Sequence, residues 1–523
     1  MRIVDNAALK FKVSHKFADE ILQYIQRSER CSDGELLVAW GQDEAESLAS
    51  ILDPEQPYPV TAAIPAPITR DYDWPGLMVP YDHQKTTAAF LSIRRRAFCF
   101  NEQGTGKTPA CIWAADYLMK LGLVKKVLII CPLSIMQTAW AADIMQTAMH
   151  RSVGIAHGDA AKRLKIIQAN YDFTIINYDG VAVISDAIDK CGFDLIIVDE
   201  ANAYKNSTTK RWKTLARLLR PSTRFWMLTG TPASQSPADA FGLARLVNPA
   251  RVPKFKTTWR DQVMVQVTRF KWIPREGSRA RVFAALQPAI RYTKKECLDL
   301  PDVVYETRDV PLTVQVENYY KRMKNQMLIE AAGEEISAVN AAAKMTKLLQ
   351  ISGGAVYTDG HDVVEFDVSP RLSVLEEVLD ESSNKVIVFV PFIHTIQVIR
   401  DFLSKIGISN ECIQGSVSAS DRADIITRFQ RTPDPKVLVI QPAAASHGVT
   451  LTAADTIVFW SPVISVETYL QCIGRIDRVG QLNKMLVVHL QGSEVERRVY
   501  QLLQGKVEDH IKLVDLYKKE LGL

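Results

Sequence analysis

The chain has 523 residues, 47% hydrophobic and 23% charged, with 63 Lys and Arg against 59 Asp and Glu for a net charge of +4. That is enough material for several domains with large cores, and no apolar run approaches the roughly 20 residues a membrane-crossing helix needs, so no membrane partner is expected. The start Met1-Arg-Ile-Val-Asp-Asn has no signal-like apolar stretch and the eight cysteines form no C-x-x-C pair, which argues against a secreted, disulfide-framed or zinc-stapled protein and for a cytoplasmic one (bacterial or phage-infected cell), or a nuclear one in a eukaryote.

Before Pro80 the chain offers a helix-like stretch at Ala18–Gln26, an apolar run at Leu36–Trp40 and a Pro-rich connector from Pro54 to Pro67. These predict a small N-terminal α+β accessory domain over residues 1–79. From Pro80 to about Pro232, apolar runs alternate with amphipathic stretches: Ala97–Phe100, Val127–Cys131, Val153–Ala156, Phe173–Asn177, Leu195–Val198 and Phe225–Leu228. Unbroken hydrophobicity predicts strands buried on both faces, hence a parallel sheet flanked by helices. A second series runs from Val386–Val390 through Glu411–Gln414, Val437–Gln441 and Thr456–Trp460 to Met485–Leu490. Between the two lie a basic and aromatic stretch, Lys254 to Trp272, and a helical tract from Val314 to about Leu349. The expected divisions are 1–79, 80–300, 301–370 and 371–523, an α/β chain with two parallel-sheet lobes in tandem and a helical insertion between them.

Three motifs carry chemistry. Asn101-Glu-Gln-Gly104-Thr105-Gly106-Lys107-Thr108 follows one apolar run and opens a helix, Ala110–Leu121. A strand, a glycine turn and a helix in that order cradle a triphosphate: backbone N–H groups and the helix N-terminus face the anion, Lys107 reaches the β- and γ-phosphates, and Thr108 binds Mg²⁺. Asn101 stands where the pattern has Gly, and a left-handed Asn is expected to preserve the turn. Leu195-Ile-Ile-Val-Asp199-Glu200 ends a buried strand in two carboxylates, Asp199 suited to Mg²⁺ and Glu200 to the attacking water. Arg475 and Arg478, three apart in Gln471-Cys-Ile-Gly-Arg-Ile-Asp-Arg-Val-Gly-Gln481, would share a helix face and present guanidiniums to a γ-phosphoryl group. Singly, each motif has a plainer reading: a chance Lys-Thr, a helix cap, a solvated helix face. Together, a cradle in one unit and arginines in the other favour a nucleotide machine.

The ordered set resembles the superfamily-two helicases, and within them the Swi/Snf-type double-stranded DNA translocases. Tyr81-Asp-His-Gln84 resembles the adenine-sensing motif, and Ile129-Ile-Cys-Pro132-Leu-Ser134 and Ile175-Ile-Asn-Tyr178 resemble DNA-contacting motifs. Asp199-Glu-Ala-Asn202 with Lys205-Asn206 resembles the acidic box, and Leu228-Thr229-Gly-Thr-Pro232 the coupling motif. Arg291-Tyr-Thr-Lys294-Lys295-Glu resembles the segment leading to the second lobe. Gly448-Val-Thr450-Leu-Thr-Ala-Ala-Asp455 and Gln471–Gln481 resemble the fifth and sixth motifs. The similarity covers about Pro80 to Leu503 and is closest in kind to short bacterial and phage members or to annealing and fork-reversal cores.

The resemblance implies two RecA-like lobes with ATP between them. It assigns Gln84, Gly104, Thr105, Gly106, Lys107 and Thr108 to ATP, and Thr108 and Asp199 to Mg²⁺. Lys107, Asp199, Glu200, Gln471, Arg475 and Arg478 would serve catalysis, and Pro132, Ser134, Tyr178, Lys205, Thr229, Gly448 and Thr450 would meet DNA. The implied partner is duplex, forked or branched DNA, engaged by a monomeric motor, with protein partners open to the N-terminal domain. Asn202, Ser446 and Asp477 replace residues usual in relatives, and Asn202 puts different hydrogen bonds between hydrolysis and DNA binding. Basic clusters at Arg94–Arg96, Lys125–Lys126 and Lys210–Lys213 are expected to be solvated faces, and the tryptophans of Lys254–Trp272 to be packed more readily than stacked on bases. An ATP-dependent DNA clamp and an RNA-unwinding enzyme are the rival readings.

Overall fold

The computed structural model describes residues 1–53, 64–233, 236–268, 272–333, 338–357, 363–445, 449–505 and 507. Most of the Pro54–Pro67 connector, Arg269–Lys271 of the basic stretch, Ser446 and Gly448 lie outside them. The chain divides into two units, one built on the front half with residues 272–297, the other on residues 298–509.

In the first unit, strands β1 (Arg2–Val4), β2 (Ala8–Phe11), β3 (Ser28–Arg30) and β4 (Leu36–Ala39) form an antiparallel sheet in the order β1-β2-β4-β3. Helices His15–Tyr24 and Gln42–Leu52 bury Ile21, Ala45 and Leu48 beneath it. The expected α+β arrangement is present, and its apolar side chains join one continuous core with the sheet that follows. Ionic contacts reinforce that seam. Arg94 is 3% exposed and donates to both carboxylate oxygens of Asp53 at 2.8 and 3.1 Å, and Arg224 meets Glu46 at 2.6 Å.

The parallel sheet of this unit contains β5 (Arg96–Cys99), β6 (Val127–Cys131), β7 (Val153–Ala156), β8 (Phe173–Asn177), β9 (Leu195–Val198) and β10 (Arg224–Leu228). A two-stranded sheet of β11 (Met264–Gln266) and β12 (Trp272–Pro274) comes next, and β13 (Ala289–Ile290) returns to the parallel sheet's edge. The order is β13-β5-β10-β9-β6-β8-β7, every pairing parallel. Alternation explains the unbroken runs. Ala97, Ile129, Ile175 and Ile197 enter one core while Phe98, Ile130, Ile176 and Val198 enter the other. A strand sends successive side chains to opposite faces, so both faces are covered.

The second unit repeats the plan. Strands β14 (Val303–Asp309), β17 (Lys385–Phe389), β18 (Asn410–Ile413), β19 (Val437–Ile440), β20 (Ala454–Phe459) and β21 (Met485–Gln491) form a parallel sheet, β14-β21-β20-β17-β19-β18, with a hairpin of β15 (Ala355–Tyr357) and β16 (Val363–Glu365) beside it. The tract expected from Val314 is two helices, Val314–Gly333 and Ala338–Gly353. Arg371 and Glu496, both buried, form an ion pair at 2.9 Å, and Glu496 also accepts from the amides of Gly492 and Ser493. Full pairing of this kind is what allows charges to be buried.

Two expectations about basic residues change. Arg94 is no solvated residue; it is the buried partner of Asp53 described above, and Arg96 donates to the carbonyls of Leu246 and Arg220. Of that trio only Arg95 is exposed. Arg211 pairs with Asp179 at 2.7 Å beside exposed Lys210 and Lys213. Trp259 is 3% exposed and donates to the Pro237 carbonyl, while the Arg260 guanidinium lies 4.0 Å over the Trp272 ring, so these tryptophans pack.

Candidate active site

Every candidate residue of the first unit follows the carboxyl end of a strand or packs on a loop that does. This is where open parallel sheets bind ligands, because the loops and helix N-termini converge there. The loop after β5 leads into helix Lys107–Lys120. Its left-handed positions are Gly104 (φ 85°) and Gly106 (φ 76°). Asn101 is not left-handed, contrary to the sequence expectation. It is a buried peg whose Nδ2 donates to Thr87 Oγ1 at 2.8 Å and whose Oδ1 accepts from the Tyr292 amide at 3.0 Å. Gly106 also sits against Gln84, so a Cβ there would collide with Gln84 Nε2. Gln84 accepts from the Tyr81 amide at 3.0 Å and faces the Thr105 carbonyl, to which His83 Nε2 stands at 2.8 Å. The adenine-motif residues therefore brace the loop. Lys107 donates to the carbonyls of Asn101 (2.9 Å) and Glu102 (3.2 Å), and Thr108 follows it half-buried in the helix's first turn.

Asp199 and Glu200 follow β9 and meet this loop: Gln103 Nε2 donates to Glu200 Oε1 at 3.2 Å. Glu200 has a left-handed backbone, φ 47°, a conformation that costs a non-glycine residue energy and recurs at functional loops. Asp199 is buried, its Oδ1 accepting from the Glu200 amide and its Oδ2 from the indole of Trp140, both at 2.9 Å. Burial pushes its carboxyl above the usual range, opposed by the Lys107 charge and these two donors. Tyr178, whose phenol burial keeps protonated, donates to the carbonyl of Asp199 at 2.6 Å. Asn202 Nδ2 donates to the carbonyl and hydroxyl of Thr231, both at 3.0 Å, which ties the acidic turn to the Thr229–Pro232 turn. Arg291 closes the ring, donating to the carbonyls of Phe100 (2.8 Å) and Gly230 (3.1 Å).

The proposed DNA contacts separate on burial. Ser134 and Thr450 are exposed, and Lys205 is half-buried with its amine 3.7 Å from Asp239. Pro132 is buried, and Thr229 is fully buried with its hydroxyl accepting from the Thr231 amide. Thr229 thus offers no surface and shapes its turn, and Tyr178 turns its hydroxyl inward. In the second unit the shared helix face expected for Arg475 and Arg478 does not exist. Helix Val466–Ile473 ends with Gly474 as its cap, and both arginines lie in the turn beyond. They still converge: each donates to the Val449 carbonyl at 3.1 Å, and Arg478 also to Thr450 Oγ1 at 2.9 Å. Arg475 is 2% exposed and donates to the carbonyl of buried Gln471 at 2.8 Å, so Arg478 is the more accessible of the two.

Sequence reasoning missed Trp140, Gln103 and Arg291 as part of this constellation. Trp140 lies downstream of Ser134 in an apolar stretch that reads as packing, and nothing in its spacing announces a bond to Asp199. Among the described residues there is no cluster of three or more His, Cys, Asp or Glu that would hold a metal unaided. The left-handed glycines, a helix of 14 residues opening at Lys107 and a buried carboxylate near that lysine fit a Mg²⁺-triphosphate.

Two parallel α/β sheets, the first with a glycine-rich phosphate loop and an acidic strand end, define a helicase-like nucleotide hydrolase. Residues 83–354 match the SNF2-related domain and residues 370–480 the helicase conserved C-terminal domain. The chain belongs to the SNF2-related family, as the motif order implied, and that membership implies ATPase activity. It is 26% identical over 433 residues to the mouse chromodomain-helicase-DNA-binding protein 1-like, covering 78% of this chain and 46% of that protein. It is 25% identical over 436 residues to protein p41 of Acyrthosiphon pisum secondary endosymbiont phage 1, covering 78% of this chain and 92% of p41. The chain thus spans about half the length of the mouse relative and nearly all of the phage one. The Sulfolobus solfataricus SWI2/SNF2 ATPase core in complex with dsDNA is similar at 22% identity and a TM-score of 0.42, covering 85% of this chain and 97% of that one. No helix among the described residues is long and apolar enough to cross a membrane.

Proposed function

We propose that this protein is a DNA-stimulated ATPase that moves along duplex or branched DNA, with an accessory domain at 1–79, a first lobe at 80–300, a connecting segment at 301–370 whose strand β14 adds to the second sheet, and a second lobe at 371–523. What supports the hydrolase part most is Glu200, held in a left-handed turn and bonded to Gln103 of the phosphate loop at 3.2 Å. Gly104, Thr105, Gly106 and Lys107 would bind the phosphates, Gln84 would check the base, and Thr108 and Asp199 would hold Mg²⁺. The ion's chemistry, when bound, is to neutralise charge on the phosphate oxygens. Glu200 orients the attacking water and takes its proton. Arg475 and Arg478, with the Gln471 carbonyl accepting from Arg475, would supply positive charge to the γ-phosphoryl group.

The DNA part is supported by the family and by relatives whose names carry DNA binding. Ser134, Lys205 and Thr450 are the accessible candidates, and contacts of this kind go to phosphate, so binding falls with salt and sequence preference is weak. Displacement of a third strand from a DNA triplex tests the motor: the wild type releases it with ATP, and Lys107→Ala and Glu200→Gln do not, while Glu200→Gln still binds ATP and DNA. Duplex-stimulated hydrolysis without displacement would make the protein a clamp, and stimulation by RNA alone would make it an RNA enzyme.

A further inference from the structure

Trp140 is one of the largest fully buried side chains, yet its indole nitrogen is not spent on the backbone. It donates to Asp199 Oδ2 at 2.9 Å, while the Glu200 amide holds Oδ1. One donor on each oxygen restrains the carboxylate plane, and each carboxylate oxygen has the capacity to accept a further bond. The segment that delivers Trp140 is unusual: from Pro132 the chain makes a 3₁₀ turn, Leu133–Ile135, then a π-helix, Met136–Ala141, before helix Ala142–Thr147. π-helical turns are rare and frequently lie at functional sites. Here one swings residue 140 onto Asp199. Ser134, an accessible candidate for DNA, is bonded into the same turn, its carbonyl accepting from the Thr138 hydroxyl at 2.9 Å.

We infer that Trp140 is a positioning residue: its N–H orients Asp199 for Mg²⁺, and the π-helix links that orientation to the Pro132–Ser134 loop. The inference rests on the nucleotide-site assignment of the preceding subsection. A Trp kept only for bulk would need no nitrogen, so Trp140→Phe separates the two roles. Partners that orient a metal ligand are worth roughly ten- to a hundred-fold in metal affinity.

The measurement is the affinity of a fluorescent ADP with Mg²⁺ and again in EDTA, with and without a short DNA duplex. In the wild type Mg²⁺ tightens binding and duplex shifts that Mg²⁺-to-EDTA ratio. Trp140→Phe lowers the ratio about tenfold, leaves the EDTA value alone and removes the duplex effect. Trp113→Phe, which deletes an indole bond to the Pro75 carbonyl (3.1 Å) in the same core, changes neither. If Phe unfolds the lobe, 3-benzothienylalanine at position 140 removes the N–H alone. An unchanged ratio in the N–H-deleted protein, or equal losses with Mg²⁺ and EDTA, overturns the assignment to Mg²⁺. A wild-type ratio unmoved by duplex overturns the link to the loop. Failure of the wild type to bind ADP would instead refute the nucleotide site itself.

Discussion

Asn202→Ala is the substitution whose consequence can be worked most fully. Asn202 is 7% exposed, and its Nδ2 donates to both the carbonyl and the hydroxyl of Thr231 at 3.0 Å. Alanine deletes the donor and strands a buried carbonyl, a cost of about 1–3 kcal/mol. The bond spans the acidic turn and the Thr229–Pro232 turn, so the cost falls on their coordination and not on phosphate binding. If it falls on the DNA-engaged state, duplex stimulation of kcat drops roughly 5- to 150-fold, the same energy as a ratio. Steady-state hydrolysis with and without duplex measures this. Basal kcat and the KM for ATP should stay within a few-fold, and Asn202→His, whose ring can still donate, should recover part of the stimulation. Undiminished stimulation in Asn202→Ala would refute this route, as would equal loss of basal and stimulated rates.

Other expectations follow from single contacts. Tyr178→Phe removes the bond to the Asp199 carbonyl and should lower kcat about fivefold, near 1 kcal/mol, with duplex affinity in a binding titration unchanged. Glu46→Ala leaves Arg224, whose side chain is 5% exposed, without its carboxylate; about 3–5 kcal/mol of stability should be lost, seen as earlier urea unfolding of the first unit. His489 is buried with Tyr469 Oη 2.9 Å from Nε2, and burial lowers its pKa to about 4. Its folded value lies below the unfolded one, so its contribution is complete above about pH 6.5 and lost as pH falls towards 4, roughly 3 kcal/mol in all. Second-unit unfolding at pH 7 and pH 4.5 checks this, and His489→Gln should flatten the difference.

The sheets were legible because burial on both faces leaves runs such as Val127–Cys131 that no amphipathic helix produces. The phosphate loop and the Asp199-Glu200 strand end were legible because their chemistry needs fixed residues at fixed spacing. What escaped was long-range. Arg94 reads as one of three surface arginines until Asp53 folds onto it, and Thr229 reads as a contact until β10 buries it. Gly474 stops the helix that Arg475 and Arg478 were expected to share, because a short helix boundary is set by its cap and not by periodicity. Trp140 could not be assigned at all, since its partner lies in another strand's loop.

The proposed function gives Arg478 a direct part in hydrolysis. Arg478→Ala tests this most directly, because Arg478 is the more accessible arginine and lies far in sequence from the phosphate loop. Steady-state ATP hydrolysis with duplex, alongside direct binding of a fluorescent ADP, should give a kcat lowered about a thousandfold, as for loss of a charge-stabilising arginine, with ADP affinity retained. A variant with normal kcat, or one impaired through KM alone, would contradict it.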